Sequence, residues 1–129
     1  MYAIETSFKT FTLDHERKMG HHEWKGYGKP EEIKQFYLDA IALLKSKGYK
    51  KWLCDNRNQP TLNQEIQDWA RDVFFPTALG AGIKYFAFVE PGKLIPGNTL
   101  KKVFNEAAPF QSEYFKSIDE ALEWLDLIK

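Results

Sequence analysis

The chain has 129 residues and carries 18 basic and 18 acidic side chains, so its formal net charge is zero. A protein that binds nucleic acid normally has a basic excess, and the balance of charges argues against that class of partner. The length fits one domain spanning residues 1–129, large enough to bury a core without a disulfide bond or a structural metal. Because there is a single cysteine, an internal disulfide is excluded and a reducing compartment is favoured.

The sequence shows no secretory signal in its first residues and no apolar run long enough for a membrane span. The first five residues lack the basic and apolar regions of a secretory signal. The longest apolar run covers residues 85–89, whereas a membrane span needs about 20 residues. We therefore expect a cytoplasmic protein with no membrane span.

The first half of the chain predicts a hairpin, a helix and a strand. Residues 2–14 are rich in Thr, Phe and Ile with rough alternation, and residues 18–27 can return as the second arm of a hairpin. Pro30 suits the first turn of a helix, and apolar residues at helical spacing continue until Gly48 ends it. Residues 49–54 then form a short strand.

The next helix is predicted to begin at a capping box formed by Thr61 and Gln64. Apolar residues follow at helical spacing, and Pro76 is expected to end or kink this helix. Residues 83–90 form a nearly continuous apolar strand, which indicates burial on both faces.

The chain closes with two helices around one strand. A short helix is predicted from Asn98 or Thr99 to about residue 107, and residues 110–115 form the last strand. Ser117 and Glu120 cap the final helix. The apolar face of that helix carries four residues: Ala121, Trp124, Leu125 and Ile128.

The predicted order is β-β-α-β-α-β-α-β-α. Strands that alternate with helices favour the α/β class, here a single domain with a mixed, mostly parallel sheet flanked by helices.

Short landmark stretches occur along nearly the whole chain: Trp24-Lys-Gly26, Leu53-Cys-Asp-Asn-Arg57, Trp69, Pro76, the run from Gly82 to Val89, Phe115, and Ala121-Leu-Glu-Trp-Leu125. Together they resemble the STAS-like family of small α/β domains, which includes SpoIIAA-like anti-sigma-factor antagonists and a bacterial branch described as lipid-transfer-like. The resemblance implies a STAS-like fold and a binding role. Phospho-switched members carry an Asp-Ser pair at the loop before the second helix. Here that loop runs from Asp55 to Thr61 without a serine, so we expect no such phosphoswitch.

Two charged residues in that loop form the first candidate site. Asp55 and Arg57 lie two apart at the carboxyl end of a predicted parallel strand, where open α/β sheets tend to place ligand crevices. Arg57 could present its guanidinium to a carboxylate or phosphate, helped by the amino end of the Thr61 helix. Alternatively, Arg57 and Asp55 form an ion pair that only orders the loop.

Aromatic residues make up 16% of the chain. Most occupy core positions by periodicity, but Phe75, Tyr85, Phe110 and Tyr114 are less easily buried. With the break at Pro76, they line either an apolar crevice or a partner surface, or they are ordinary core residues.

Catalytic and metal-binding patterns are scarce. Cys54 lies in an apolar strand and is expected to be a buried, inert thiol. His21 and His22 are adjacent, so on a strand they face opposite sides and are poorly placed to share a metal. No metal-ligand spacing or nucleotide-binding motif occurs in the sequence, so we predict no metal, no cofactor and no catalytic residues.

These observations predict a non-enzymatic, STAS-like regulatory domain that binds a protein partner or a small apolar or anionic ligand. One alternative is a carrier for an apolar, lipid-like molecule in an aromatic-lined crevice, and another is an enzyme that uses Asp55 and Arg57. The aromatic surplus and zero net charge also predict self-association, for example as a homodimer. The predicted binding residues are Asp55, Arg57, Thr61, Trp69, Phe74 and Phe75.

Overall fold

The structure is a computed structural model, and it describes residues 2–90 and 111–128. The predicted helix near residues 98–107 and the aromatic residue Phe110 lie outside this range. The strands are β1 (Ile4–Glu5), β2 (Lys9–Asp14), β3 (Met19–Trp24), β4 (Lys51–Asp55), β5 (Tyr85–Val89) and β6 (Gln111–Phe115). The helices are α1 (Pro30–Lys47), α2 (Gln64–Trp69), a π-helical turn (Ala70–Phe74), α3 (Phe75–Gly80) and α4 (Ile118–Leu127).

The six strands form one mixed sheet in which spatial order follows chain order, β1 to β6. β1, β2 and β3 pair antiparallel, and the pairs from β3 to β6 are parallel. The α/β class and the mixed, mostly parallel sheet are therefore confirmed. The strand order does not reverse, so the described sheet lacks the crevice that forms where the order of an open sheet reverses.

The predicted opening strand is two strands. The backbone turns between β1 and β2, where Thr6 Oγ1 accepts a hydrogen bond from Lys9 N at 2.9 Å and donates one to Lys9 O at 2.7 Å. This hydroxyl competes with the sheet ladder for the backbone groups of Lys9, as short polar side chains do at turns. The expected hairpin follows, with β2 and β3 joined through residues 15–18.

Helix α1 agrees with the prediction at both ends. Pro30 occupies the first turn, and Gly48 adopts a left-handed conformation with φ 70°. In that conformation the amide of Gly48 bonds the last helical carbonyls, which a residue with a side chain would do only under strain. The buried face carries Ile33, Phe36, Tyr37, Ala40, Ile41 and Leu44.

The second helical segment differs from the prediction in two ways. Its cap is Asn63, whose side chain accepts from Ile66 N at 2.9 Å, and Thr61 lies exposed before the helix. Of the two outcomes expected at Pro76, an end of the helix is wrong: a π-helical turn precedes the proline, Phe75 N donates to Ala70 O, and the segment continues as α3. A wider turn relieves the clash between a proline ring and the carbonyl four residues earlier.

The π-helical turn also changes which residues face the sheet. It holds one more residue than an α-turn, so the side chains after it rotate relative to regular helical spacing. Val73, which regular spacing places toward the core, is 39% exposed, whereas Phe75 is only 1% exposed. The segment from Gln64 to Gly80 therefore presents Phe74 and Phe75 together to the core.

The sheet separates two cores. Helices α1, α2 and α3 pack on one face over a large aromatic core, and α4 packs on the other over a smaller aliphatic core. Ser117 caps α4 as predicted, accepting from Glu120 N at 3.2 Å. Lys51 Nζ donates to the carbonyls of Leu125 and Ile128, both at 2.6 Å, and so neutralises the free carbonyls at the end of α4.

Candidate functional site

The structure separates the six predicted binding residues. Side chains alternate along β4, so that Leu53 belongs to the α4 core and Cys54 to the aromatic core. Asp55 therefore faces the α4 side, as does its partner in register, Val89. The aromatic predicted residues, Trp69, Phe74 and Phe75, pack on the opposite face. Asp55 and the three aromatic residues therefore lie on opposite faces of the sheet.

On the α4 side, Asp55 and Arg57 form a bidentate ion pair. Arg57 Nε and Nη2 donate to the two carboxylate oxygens at 2.8 and 2.7 Å, and the Arg57 amide donates to Oδ1 at 3.2 Å. Burial raises the pKa of Asp55, but the hydrogen bonds and charge of Arg57 outweigh it and hold that pKa below its ordinary value. This geometry matches the interpretation in which the pair orders the loop, although 48% of the Arg57 side chain is exposed.

On the other face, the aromatic core contains a small cavity beneath the segment from Gln64 to Gly80. It has a volume of about 20 Å³. That space is about enough for one water molecule. Its lining is His22, Tyr37, Cys54, Leu62, Ile66, Trp69, Ala70, Phe74, Phe75, Phe86 and Phe88.

Rings in contact with one another build the walls of this cavity. Tyr37 and Phe74 have centroids 4.7 Å apart, and Trp69 stacks on Phe74 at 6.2 Å with an interplanar angle of 22°. From the sheet, Phe86 stacks on Phe88 at 6.2 Å and 9°. Such ring pairs contribute roughly 0.5–1.5 kcal/mol each beyond the area they bury. The cavity walls are therefore aromatic on both the helical and the sheet side.

His22 forms part of the floor, and its polar atoms are already satisfied. Trp52 Nε1 donates to His22 Nδ1 at 3.0 Å, so the proton of the neutral ring lies on Nε2, which donates to Asn56 Oδ1 at 3.1 Å. Burial lowers the pKa of His22 well below its ordinary value. His22 is a neutral spacer that fixes Trp52 and Asn56, and it has no nitrogen left for a ligand.

Lys9 lies directly behind the cavity wall and is fully buried. Its ammonium or amine group is hydrogen-bonded to Tyr37 Oη. The same Nζ lies 3.8 Å from the ring centroids of Trp24 and Tyr37, and 5.1 Å from that of Phe36. Among the described residues, no carboxylate pairs with it. Burial therefore lowers the pKa of Lys9 well below its ordinary value.

The other two titratable groups of this region remain protonated. Burial raises the pKa of the Cys54 thiol, and it raises the pKa of the Tyr37 phenol well above its ordinary value. Cys54 is 3% exposed, so its predicted burial is confirmed, and the raised pKa agrees with the predicted low reactivity of the thiol. The prediction that His21 and His22 face opposite sides of β3 is also confirmed, since only His22 joins the aromatic core.

Four residues of this buried polar cluster were not predicted as site residues: Lys9, His22, Tyr37 and Asn56. A signal for Lys9 existed, because period-two spacing from Phe11 and Leu13 places it on the same face of β2. The contact between Lys9 and Tyr37 joins residues 28 positions apart, and no local pattern indicates it.

Among residues 2–90 and 111–128, no helix has the length and apolar character needed to cross a bilayer. Within the same residues, no three His, Cys, Asp or Glu side chains are grouped so that they could hold a metal ion. Comparison of the chain with protein-family models, with curated proteins and with solved structures found no match.

Proposed function

We propose that this protein is a STAS-like domain that binds a small apolar molecule in the aromatic core, between the sheet and the segment from Gln64 to Gly80. The binding requires no enzymatic step. The observation that carries the proposal is the cavity in that core, whose walls are aromatic from both sides. The landmark stretches of the sequence support the STAS-like part of the proposal.

The burial of the aromatic residues favours a small ligand over a protein partner for this region. Phe74 and Phe75 are 6% and 1% exposed, and Trp69 is half-buried, so the three rings turn toward the sheet and away from solvent. A partner surface requires exposed apolar side chains. A ligand site requires rings that converge on an internal space, as they do here.

The cavity must open before it accepts a ligand larger than water. Small-molecule sites have volumes of roughly 300–1,000 Å³, far above the present 20 Å³. The π-helical turn at Ala70–Phe74 supports an opening movement of the covering segment, because such turns interrupt regular helical hydrogen bonding and often occur at functional sites. We infer that the ligand displaces this segment from the sheet.

The test uses 3-phenylpropanamide, an uncharged molecule with one ring, and follows amide chemical shifts together with thermal unfolding. We expect the largest shifts around the cavity lining and a rise in melting temperature. At a ligand concentration about ten times Kd, the gain in unfolding free energy is about 1.4 kcal/mol.

Two variants with the same substitution separate cavity binding from surface binding. Ala70 lines the cavity and is 4% exposed, so Ala70→Leu fills the space and should abolish the shifts. Ala42 lies on the exposed side of α1, so Ala42→Leu should leave binding unchanged. Equal binding by both variants, or saturating shifts confined to surface residues, would refute the proposed site.

A further inference from the structure

A second feature of the aromatic core is a local excess of hydrogen-bond donors behind the Tyr37 wall. Lys9 Nζ has one hydrogen-bond partner in the described part of the chain, Tyr37 Oη. Trp24 is 1% exposed, and its Nε1 is buried without a partner among the described residues. Its ring centroid lies only 3.8 Å from Lys9 Nζ.

Tyr37 connects this donor group to the cavity. Its ring lines the cavity, while its hydroxyl oxygen is bonded to Lys9 Nζ. When Lys9 is the donor in that bond, the Tyr37 hydroxyl proton is free to be donated elsewhere. Lys9 and Tyr37 then offer donors at one point of the cavity wall, and Trp24 Nε1 is a further buried donor of the same core without a partner among the described residues.

The neighbouring polar groups do not supply the missing acceptor. Both nitrogens of His22 are engaged, with Trp52 and with Asn56, and Cys54 is a protonated thiol. Buried polar groups in folded proteins are nearly always paired, and buried charges are paired or neutralised. A cluster of buried donors beside an apolar cavity therefore indicates a ligand that brings its own acceptor.

We propose that the ligand is an apolar carboxylic acid, whose hydrocarbon part fills the aromatic cavity and whose carboxylate accepts hydrogen bonds from Tyr37 Oη and from Lys9 Nζ. This inference rests on the proposed function and names its ligand class. The three rings around Lys9 Nζ favour a positive charge there once an anion is present. The bound carboxylate then forms an ion pair with Lys9, which has no carboxylate partner among the described residues of the free protein.

This arrangement links binding to proton uptake. In the free protein burial favours the neutral amine of Lys9, whereas a bound carboxylate favours the ammonium. The groups that face Lys9 are Tyr37 from α1, Trp24 and His22 from β3, and Cys54 from β4. None of them carries a negative charge near neutral pH, so the proton taken up on binding belongs to Lys9.

The experiment compares 3-phenylpropanoate with the neutral 3-phenylpropanamide by titration calorimetry near pH 8, in buffers with different ionisation enthalpies. We expect the acid to bind at least about tenfold more tightly, since hydrogen bonds to charged groups are the stronger ones. We also expect uptake of about one proton with the acid and none with the amide.

Lys9→Met should remove the proton uptake and the preference for the acid while the amide still binds. Tyr37→Phe keeps the cavity wall and should weaken the acid alone, which gives a second reading if Lys9→Met folds poorly. Lys84→Met removes an exposed lysine and serves as the matched control. Equal affinities for acid and amide without proton uptake overturn the carboxylate inference and leave the proposed function standing. Binding of neither compound overturns both.

Discussion

Replacing the buried lysine by methionine should make the protein more stable near neutral pH, and the gain should shrink as the pH rises. Lys9→Met keeps a long unbranched side chain in the site but removes the amine. Lys9 is fully buried and lacks a described carboxylate partner, so burial lowers its pKa well below the ordinary value in the folded state. In the unfolded chain the pKa returns to about 10.4.

The sign of the pH dependence follows from these two states. Between the folded and the unfolded pKa, the unfolded chain holds one proton more than the folded protein, so the unfolding free energy of the wild type rises with pH. The slope is about 1.4 kcal/mol per pH unit. Near pH 7 Lys9 therefore lowers the stability of the wild type, and this loss becomes smaller as the pH rises toward the unfolded pKa.

The hydrogen bond to Tyr37 partly offsets this penalty. Its loss in Lys9→Met costs about 1 kcal/mol, because the phenol is buried and its oxygen loses a donor. We therefore expect Lys9→Met to be more stable than the wild type near pH 7, by a margin that falls as the pH rises. The difference should disappear as the pH approaches 10.

Urea unfolding followed by tryptophan fluorescence, at several values from about pH 7 to about pH 8.5, measures the difference. His22 and Cys54 also titrate differently on unfolding, but both variants share these contributions and the difference cancels them to first order. Lys84→Met controls for the loss of one exposed positive charge. Parallel pH slopes for the wild type and Lys9→Met would show that Lys9 keeps its charge in the folded state, and would refute the reasoning.

Three further predictions concern stability. Asn63→Ala should lower the free energy of unfolding, measured in urea, by about 1 kcal/mol, because the side chain of Asn63 caps α2. Thr61→Ala should leave it nearly unchanged, and the opposite ranking would support the capping box predicted from the sequence. Arg57→Met should cost roughly 1–2 kcal/mol at neutral pH, since it leaves the buried carboxylate of Asp55 unpaired while Arg57 itself is half-exposed. The lowered pKa of Asp55 stabilises the fold above its unfolded pKa, so this cost should vanish as acid protonates Asp55 in both variants; a cost that does not change with pH would contradict it. Gly20→Ala should cost about 1–3 kcal/mol, because its Cβ would lie 2.4 Å from a phenylalanine ring of β2; an unchanged unfolding midpoint would argue against this packing.

The secondary structure was predictable where it depends on the conformational preferences of neighbouring residues. Helix α1 begins at Pro30 and ends before Gly48 as predicted, because proline and left-handed glycine act through their own backbone conformations. The apolar residues at helical spacing form the buried face of α1, as predicted. Between Thr61 and Pro76 the local patterns gave wrong predictions. Asn63 caps α2 in place of Thr61, and the π-helical turn rotates the side chains that follow it.

The candidate site was less predictable than the fold. The sequence alone drew attention to Asp55 and Arg57, and the structure shows that each satisfies the other. The interpretation as a loop-ordering pair was already one of the two alternatives, but choosing it required the distances. The buried donors Lys9, Trp24 and Tyr37 come from three separate elements, so only packing brings them together.

The sequence by itself determined the α/β class, the order of most described elements, the burial of Cys54 and the opposite faces of His21 and His22. These properties depend on periodicity and on backbone preferences, which act over a few residues. Only the tertiary structure decided which charges are paired and which are not, because pairing and desolvation depend on residues far apart in the chain. Lys9 acquires its place in the proposed site, and its lowered pKa, solely from the rings of β3 and α1 that enclose it.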